Sequence, residues 1–220
     1  DGGMVTDAGA SFRSPSDGRE VFLGPKEAMT IQHDLGADVI MAFDQCIALP
    51  ASRALTEEAL ERTLRWARIC RDHHQDGAQA LFGIVQGGAE ADLRVRSAEE
   101  MARIGFAGYA VGGLAVGEDE ATRSAMLEAS VAPLPPASPR YLMGVGRPQD
   151  LLEAVARGVD LFDCVLPTRN ARNGWAFSAE GPLHLRNARF REDARPLEAA
   201  CPCPACRRFS RAYLRHLFVV

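Results

Sequence analysis

The stretch that decides the fold runs from residue 81 to residue 113 and reads LFGIVQGGAEADLRVRSAEEMARIGFAGYAVGG. Two short apolar runs, at 81–88 and 108–113, flank a segment at 90–104 that has helical spacing. An apolar run, an amphipathic segment and a second apolar run predict a β-α-β unit with parallel strands. Both runs end in glycine, so backbone groups are expected to be accessible where the strands end.

The same pattern continues on both sides of this unit. Apolar runs lie at 37–44, 81–88, 108–113, 140–146 and 159–167, and helical segments lie at 53–73, 90–104, 119–130 and 148–158. A hairpin around Asp17-Gly18 and a helix at 25–36 are predicted to come first. This α/β series predicts a parallel sheet, either doubly wound or part of a (β/α)8 barrel. The absence of G-x-G-x-x-G after any run weakens the case for a doubly wound, dinucleotide-binding sheet. A whole barrel needs about 250 residues, so this chain would hold only part of one.

The composition is that of an ordinary globular protein, with 220 residues, 47% hydrophobic and 25% charged. No apolar run approaches the length of about 18 residues that a membrane helix needs. The opening DGGMVTDAG lacks the features of a signal peptide. We therefore expect a cytoplasmic protein with no membrane partner. The opening has no initiator methionine and the end, LRHLFVV, is apolar, so we expect a fragment that lacks both ends.

Charge is divided unevenly along the chain. The net charge is −4, but residues 164–220 carry ten arginines and four acidic groups, and so are net +6. At the division lies DLFDCVLPTRNARNG (160–174), which reads as a buried strand that runs into a basic, glycine-ended loop. A carboxylate in an apolar run, here Asp163, is costly unless it is paired or has a function. On the residues alone, capping a loop or pairing with Arg169 stays as probable as catalysis.

The ends of the predicted strands carry the residues that suit chemistry. They are Asp44, Cys46, Gln86, Gly113, Leu114, Met143 and Asp163. In either fold the carboxyl ends of parallel strands converge on one pocket. Carboxylates, an amide and bare backbone suit a planar, hydrogen-bonding ligand such as a purine, with Met143 against its face. Taken alone, Cys46 and Met143 are more typical of core residues.

Three of the six cysteines are clustered as C-x-C-x2-C, at Cys201, Cys203 and Cys206. Without a secretion signal, disulfides are not expected, and such a cluster indicates a metal site. Three thiolates favour a closed, structural zinc site, which needs a fourth ligand.

With these residues assembled, the chain resembles the bacterial, queuosine-forming tRNA-guanine transglycosylases. The resemblance rests on DVIMAFDQC (38–46), ALFGIVQGG (80–88), GYAVGGLAVGE (108–118), RYLMGVG (140–146), DLFDCVLPTRNARNG (160–174) and CPCPAC (201–206). It implies a (β/α)8 TIM barrel with a zinc-binding insertion, one structural Zn²⁺ per chain and a homodimer. Residues 1–190 would then form a partial barrel with the catalytic pocket, and residues 191–220 the start of the zinc-binding subdomain.

The activity that the resemblance implies is base exchange in tRNA. The wobble guanine of the tRNAs for aspartate, asparagine, histidine and tyrosine is replaced by 7-aminomethyl-7-deazaguanine during queuosine biosynthesis. Asp163 matches the nucleophile, which forms a covalent aspartyl-ribose intermediate as a retaining glycosidase does. The target base must leave its stack to reach a pocket, and the single-stranded anticodon loop makes this possible.

The resemblance also assigns roles in binding. Asp44 matches the residue that binds two ring N–H groups of guanine, and Gln86 and the Gly113 amide match the groups on the base carbonyl. The Leu114 carbonyl matches the acceptor for the aminomethyl group, while Cys46 and Met143 line the pocket. Val116 stands where glycine makes room for the larger base queuine, so it favours the smaller one. Arg169 and Arg172 match arginines that hold the bases beside the wobble position.

The chain departs from the family pattern at several places. The D-S-G-G-F/Y-Q motif that carries the general acid/base is missing, so we expect that residue upstream of Asp1 and expect these 220 residues alone to be inactive. Gln45 stands where an acidic residue is usual. The fourth zinc ligand, a histidine, is expected beyond Val220, because His216 matches the helix that precedes it.

Three other readings remain open at this point. The first is a non-catalytic tRNA-binding subunit, which the retained Asp163 and the cysteine cluster disfavour. The second is an archaeosine-type transglycosylase, which LAVGE (114–118) disfavours. The third is an unrelated metabolic barrel enzyme, which would show no dependence on tRNA.

Overall fold

The computed structural model describes residues 3–74 and 77–220. Asp1, the reference point for the expected acid/base, lies outside these ranges. The contacts divide the chain into two compact units, one up to Asp163 and one from Cys164 to Val220. The predicted boundary between residues 190 and 191 stays a prediction. In the described ranges, no helix combines the length and the apolar character needed to cross a membrane.

The first unit contains a hairpin sheet followed by alternating strands and helices. Its strands are β1 (Met4–Val5), β2 (Ala10–Arg13), β3 (Glu20–Leu23), β4 (Val39–Met41), β5 (Ala80–Val85), β6 (Gly108–Val111), β7 (Arg140–Leu142) and β8 (Leu161–Phe162). Its helices are α1 (Pro25–Leu35), α2 (Arg53–His73), α3 (Ala91–Ile104), α4 (Glu120–Val131) and α5 (Pro148–Ala156). The β-α series predicted from the apolar runs is confirmed element by element.

The main sheet has the order β4-β5-β6-β7-β8, and every neighbouring pair is parallel. A doubly wound sheet would reverse its strand order at a switch point, and this order does not reverse. Right-handed crossovers between consecutive strands place all the helices on one face, and each of α1 to α4 contacts the next helix. The curved five-stranded sheet therefore fits part of a (β/α)8 barrel.

Local sequence signals explain where the helices begin and end. Ser52 caps α2 by accepting a hydrogen bond from the Leu55 N–H at 3.3 Å. Asp119 caps α4 through the Thr122 N–H at 2.7 Å, which lowers the pKa of its carboxyl group. Gly36 ends α1 with a φ of 68°, a conformation that glycine adopts without strain.

The core of the first unit lies between the sheet and its helices. Leu60, Leu64 and Met101 from α2 and α3 pack with Val85 and Tyr109 of the sheet, and all are at most 2% exposed. Burying a side chain of this size contributes about 1.5–3 kcal/mol. This packing fixes the strands, and so fixes the positions of the loops that follow them.

The second unit is smaller and has little regular structure. It contains α6 (Leu166–Arg172), β9 (Trp175–Ala176), β10 (Leu183–His184), a 3-10 helix (Ala188–Phe190), α7 (Pro204–Arg208) and α8 (Arg211–Val219). Leu183, Leu185 and Phe190 form its core. Buried Arg211 donates to the carbonyls of Pro196 and Leu197 at 2.8 and 3.0 Å.

The prediction of a basic loop after Asp163 is wrong. Residues Leu166–Arg172 form a helix, because Pro167 suits a first turn and Gly174, with a φ of 75°, follows its end. The predicted strand over 159–167 shrinks to Leu161–Phe162 for the same reason.

Candidate active site at the carboxyl edge of the sheet

The predicted site residues of the first unit lie where the five parallel strands end. Asp44 and Cys46 follow β4, and Gln86 follows β5 directly. Gly113 and Leu114 follow β6, Met143 follows β7, and Asp163 follows β8. We call this set, with the backbone of Gly112, the strand-end site. Because the strands are parallel, all of these residues lie at one edge of the sheet.

Asp44 and Gln86 contact each other directly. The Gln86 side chain, 3% exposed, donates from Nε2 to Asp44 Oδ2 at 2.7 Å. Its backbone N–H donates to the Ser97 hydroxyl at 3.1 Å. Burial raises the pKa of the Asp44 carboxyl group, and the hydrogen bond from Gln86 opposes that rise. Asp44 is thus a poorly solvated carboxylate whose orientation Gln86 fixes.

The glycines after β6 allow Gln86 to lie against the backbone. A Cβ on Gly112 would lie 2.7 Å from Gln86 Nε2. A Cβ on Gly113 would collide with Gln86 Oε1, and Gly113 also has a φ of 65°. Only glycine fits both positions without displacing the amide.

Arg94 is a residue that the sequence analysis missed. It is fully buried on α3, and its guanidinium donates to the carbonyls of Gly88 (2.9 Å), Val85 (3.3 Å), Gly112 (2.7 Å) and Gly113 (3.1 Å). Burial lowers its pKa to about 10, so it remains a cation at neutral pH. A signal was present, because Arg94 lies in register with buried Ala98 and Met101 at positions i, i+4 and i+7.

Asp163 is held by two donors to one of its oxygens. Its Oδ1 accepts from the Tyr141 hydroxyl at 2.7 Å and from the Gly144 N–H at 2.8 Å. In the described part of the chain, Oδ2 receives no hydrogen bond. Desolvation, followed by the bond to Asp163, raises the pKa of Tyr141 to about 12, so the hydroxyl stays protonated and donates. Tyr141 was not among the site residues predicted from the sequence.

The loop after β6 has a fixed shape. Glu118 accepts from the backbone N–H groups of Ala115 and, at 3.0 Å, Val116. Ala115 has a φ of 62°, which is uncommon outside glycine. The Leu114 side chain packs into the core, while Val116 is 37% exposed.

Cys46 and Met143 are placed differently from each other. Cys46 is exposed, and the pKa of its thiol is raised, first by partial desolvation and then by the Asp44 carboxylate. Met143 is half-buried, and its N–H donates to the Val111 carbonyl at 3.2 Å. Met143 therefore extends the contacts of β7 beyond the end of the strand.

Gln45, beside Asp44, has a definite partner. Its Oε1 accepts from Arg62 Nη1 at 2.6 Å, and its N–H donates to the Thr63 hydroxyl at 3.0 Å. Arg62 also pairs with Asp7 at 3.1 Å and with Glu58 at 2.8 Å. Arg65 also pairs with Asp7, at 2.7 Å, so two arginines face two carboxylates and a neutral residue at position 45 keeps this charge balanced.

The second unit contains the cysteine cluster and the basic helix. The sulfurs of Cys201, Cys203 and Cys206 lie within 4.8 Å of one another, and His216 does not belong to this group. The pKa of the Cys203 thiol is lowered to about 7, chiefly because its sulfur accepts a hydrogen bond from the Cys206 N–H. This shift favours the thiolate form that a metal binds. The donor set and spacing fit zinc.

Arg169 and Arg172 lie three residues apart on α6, and both are exposed. This spacing places the two guanidinium groups on one side of the helix. They are available to a ligand rather than committed to the core of their unit.

Comparison with known proteins identifies the family. The family model for queuine tRNA-ribosyltransferase matches residues 3–220. Queuine tRNA-ribosyltransferase of Stenotrophomonas maltophilia strain K279a is 54% identical over 216 residues, and that of Thioalkalivibrio sulfidiphilus is 50% identical over 213. The protein of the same name from Xanthomonas oryzae strain PXO99A is 54% identical over 217 residues. Each match covers 97% of this chain but 57% of the relative, so the chain spans little more than half of their length. On this similarity, the chain belongs to the queuine tRNA-ribosyltransferase family.

Proposed function

We propose that the protein is a tRNA-guanine transglycosylase that replaces the wobble guanine of tRNA with 7-aminomethyl-7-deazaguanine, a step of queuosine biosynthesis. The observation that carries the proposal is the environment of Asp163. Tyr141 and Gly144 hold Oδ1, which leaves Oδ2 as the nucleophilic oxygen. The same edge of the sheet carries a base-reading pair, Asp44 and Gln86.

In the proposed reaction, Asp163 Oδ2 attacks the anomeric carbon of the ribose. The bond between that carbon and the guanine nitrogen breaks, and guanine leaves with the bonding electrons and takes a proton. A ribosyl ester of Asp163 holds the site until the incoming base, which gives its ring N–H proton to the same acid/base that protonated guanine, attacks the same carbon and releases the carboxylate. Two displacements give retention, as in retaining glycosidases. The acid that protonates guanine is expected upstream of Asp1.

Recognition of the base is assigned to the residues around Asp44. The Asp44 carboxylate accepts from ring N–H groups of the base, while Gln86 and the Gly113 N–H donate to its carbonyl. The Leu114 carbonyl accepts from the aminomethyl group, and Met143 and Cys46 line the pocket. Val116 occupies space that a larger base would need, which supports the smaller substrate.

The tRNA contacts are assigned to the basic second unit. Arg169 and Arg172 are exposed on α6, and residues 164–220 are net +6, which suits a phosphate backbone. The proposed substrates are the tRNAs for aspartate, asparagine, histidine and tyrosine, in the cytoplasm. The proposed assembly is a homodimer.

Zinc is proposed as a structural ion. Cys201, Cys203 and Cys206 would hold it together with a histidine beyond Val220. When bound, the ion would cross-link the segment around α7 and take no part in the chemistry, because a closed four-ligand site leaves no position for substrate.

The proposal is tested by incorporation of labelled guanine into tRNA by the full-length protein. We expect incorporation into a transcript with guanine at the wobble position and none into a transcript with adenine there. Binding of tRNA without incorporation would support the non-catalytic subunit. Label in the body of the tRNA would support an archaeosine-type enzyme, and a reaction without tRNA would support a metabolic enzyme.

A further inference from the structure

Arg94 is a buried cation whose hydrogen-bond partners, in the described part of the chain, are all backbone carbonyls. It is fully buried, and no described carboxylate lies within ion-pair distance of it. Burying an unpaired charge is costly unless other polar groups compensate. The compensation comes from four backbone carbonyls, all at the ends of β5 and β6. Those two strand ends carry Gln86 and Gly113 of the strand-end site.

The guanidinium sets the direction of the peptides after β6. Arg94 donates from Nη1 to the Gly112 carbonyl at 2.7 Å and from Nη2 to the Gly113 carbonyl at 3.1 Å. In a planar trans peptide the C=O and N–H groups point in opposite directions. The Gly113 N–H shares its peptide with the Gly112 carbonyl, so it points away from the guanidinium. The φ of 65° at Gly113 allows both carbonyls to turn toward one side chain.

The same guanidinium reaches the end of β5. Nη1 also donates to the Val85 carbonyl at 3.3 Å, which belongs to the peptide that carries the Gln86 N–H. Nε donates to the Gly88 carbonyl at 2.9 Å, just beyond Gln86. One rigid, planar group therefore spans both strand ends.

We propose that Arg94 is a positioning residue for base recognition, which sets the Gly113 N–H and the Gln86 amide at the spacing that one base carbonyl requires. The proposal rests on the proposed function and deepens it. Lysine could not replace arginine here, because a single ammonium group cannot reproduce the fixed fork of donors.

The test compares Arg94→Lys with Arg96→Lys in the full-length protein. Arg96 lies on the same helix, is exposed and pairs with Glu61, so it controls for the substitution itself. The measured quantities are kcat, the KM for labelled guanine, the KM for tRNA and the thermal midpoint. Arg94→Lys is expected to raise the KM for guanine roughly threefold to tenfold, the loss expected for one hydrogen bond between neutral groups at the base carbonyl. The KM for tRNA is expected to stay unchanged, and Arg96→Lys is expected to behave as the wild type.

A folded Arg94→Lys variant with the wild-type KM for guanine would overturn the proposal, even if its thermal midpoint fell. Arg94→Gln is the second variant, because it removes the buried charge and keeps one amide donor; the same rise in the KM for guanine is expected. If neither variant folds, Arg94 serves the fold and the positioning role is rejected. Wild-type protein that incorporates no guanine would instead reject the proposed function, on which the role of Arg94 depends.

Discussion

Replacing Asp44 by asparagine is expected to weaken base binding and stabilise the fold together. Asp44 is a half-buried carboxylate with a raised pKa, and its Oδ2 accepts from Gln86 at 2.7 Å. The asparagine oxygen preserves that bond, but the other carboxylate oxygen becomes an NH2 donor that faces a donor of the base. Losing a hydrogen bond to a charged group costs about 1.5–3 kcal/mol, so we expect the KM for guanine to rise at least about tenfold.

The effect on stability has the opposite sign. Because the pKa of Asp44 is raised in the folded state, the folded protein binds more protons than the unfolded chain in the window between the usual pKa of 3.8 and the raised pKa. The stability contributed by Asp44 therefore falls as the pH rises through that window and stays low above it. Asp44→Asn is expected to unfold at a higher temperature than the wild type at neutral pH, and this advantage disappears at acidic pH.

The assay pairs guanine incorporation with thermal unfolding at several pH values, on wild type and Asp44→Asn. An unchanged KM for guanine would refute the role of Asp44 in reading the base. A lower thermal midpoint at neutral pH would refute the argument from burial, because it would show that the carboxylate stabilises the fold.

Three further substitutions are expected to have distinct signatures. Gly113→Ala should raise the KM for guanine and destabilise the fold by about 1–2 kcal/mol or more, because the φ of Gly113 is positive and the new Cβ would meet Gln86. The control is Gly18→Ala, also at positive φ but in open space, which should destabilise the fold without changing the KM. An equal KM for guanine in the two variants would contradict this prediction. Tyr141→Phe should lower kcat about tenfold with the KM for guanine unchanged, since it releases one bond to Asp163; an unchanged single-turnover rate would contradict this. Cys203→Ser should lose the zinc measured by atomic absorption while Cys164→Ser retains it; zinc retained by both would contradict the proposed site.

Much of the fold was predictable because apolar runs and helical spacing report burial directly. The predicted helix at 53–73 matches α2 (Arg53–His73), and the hairpin at Asp17-Gly18 joins β2 and β3. The predicted strands extend too far along the chain at their carboxyl ends. The run at 81–88 ends its strand at Val85, because Gly87 and Gly88 have φ values of 144° and 56° and leave the extended conformation while staying buried.

The site was predictable where residue type alone signals chemistry, as at Asp44 and Gln86. It was not predictable where a residue acts through the backbone. Arg94 lies on the buried face of α3, as its register with Ala98 and Met101 indicates, but its four carbonyl partners become visible only in the structure. Tyr141 reads as an ordinary strand residue until its hydroxyl is seen on Asp163. The short helix α6 was missed because apolar spacing carries little signal over seven residues.

The covalent intermediate at Asp163 is the central claim, and trapping it is the most direct measurement. Full-length protein is mixed with tRNA, denatured and separated on a gel, and the modified peptide is identified by mass spectrometry. Asp163→Asn removes the nucleophile, and Asp160→Asn, at a nearby aspartate that accepts from the Arg140 N–H at 2.9 Å, is the matched control. We predict an RNA adduct on the peptide with Asp163 in wild type and Asp160→Asn, lost on adding guanine and absent in Asp163→Asn. An adduct that persists in Asp163→Asn, or that maps to another residue, would contradict the account.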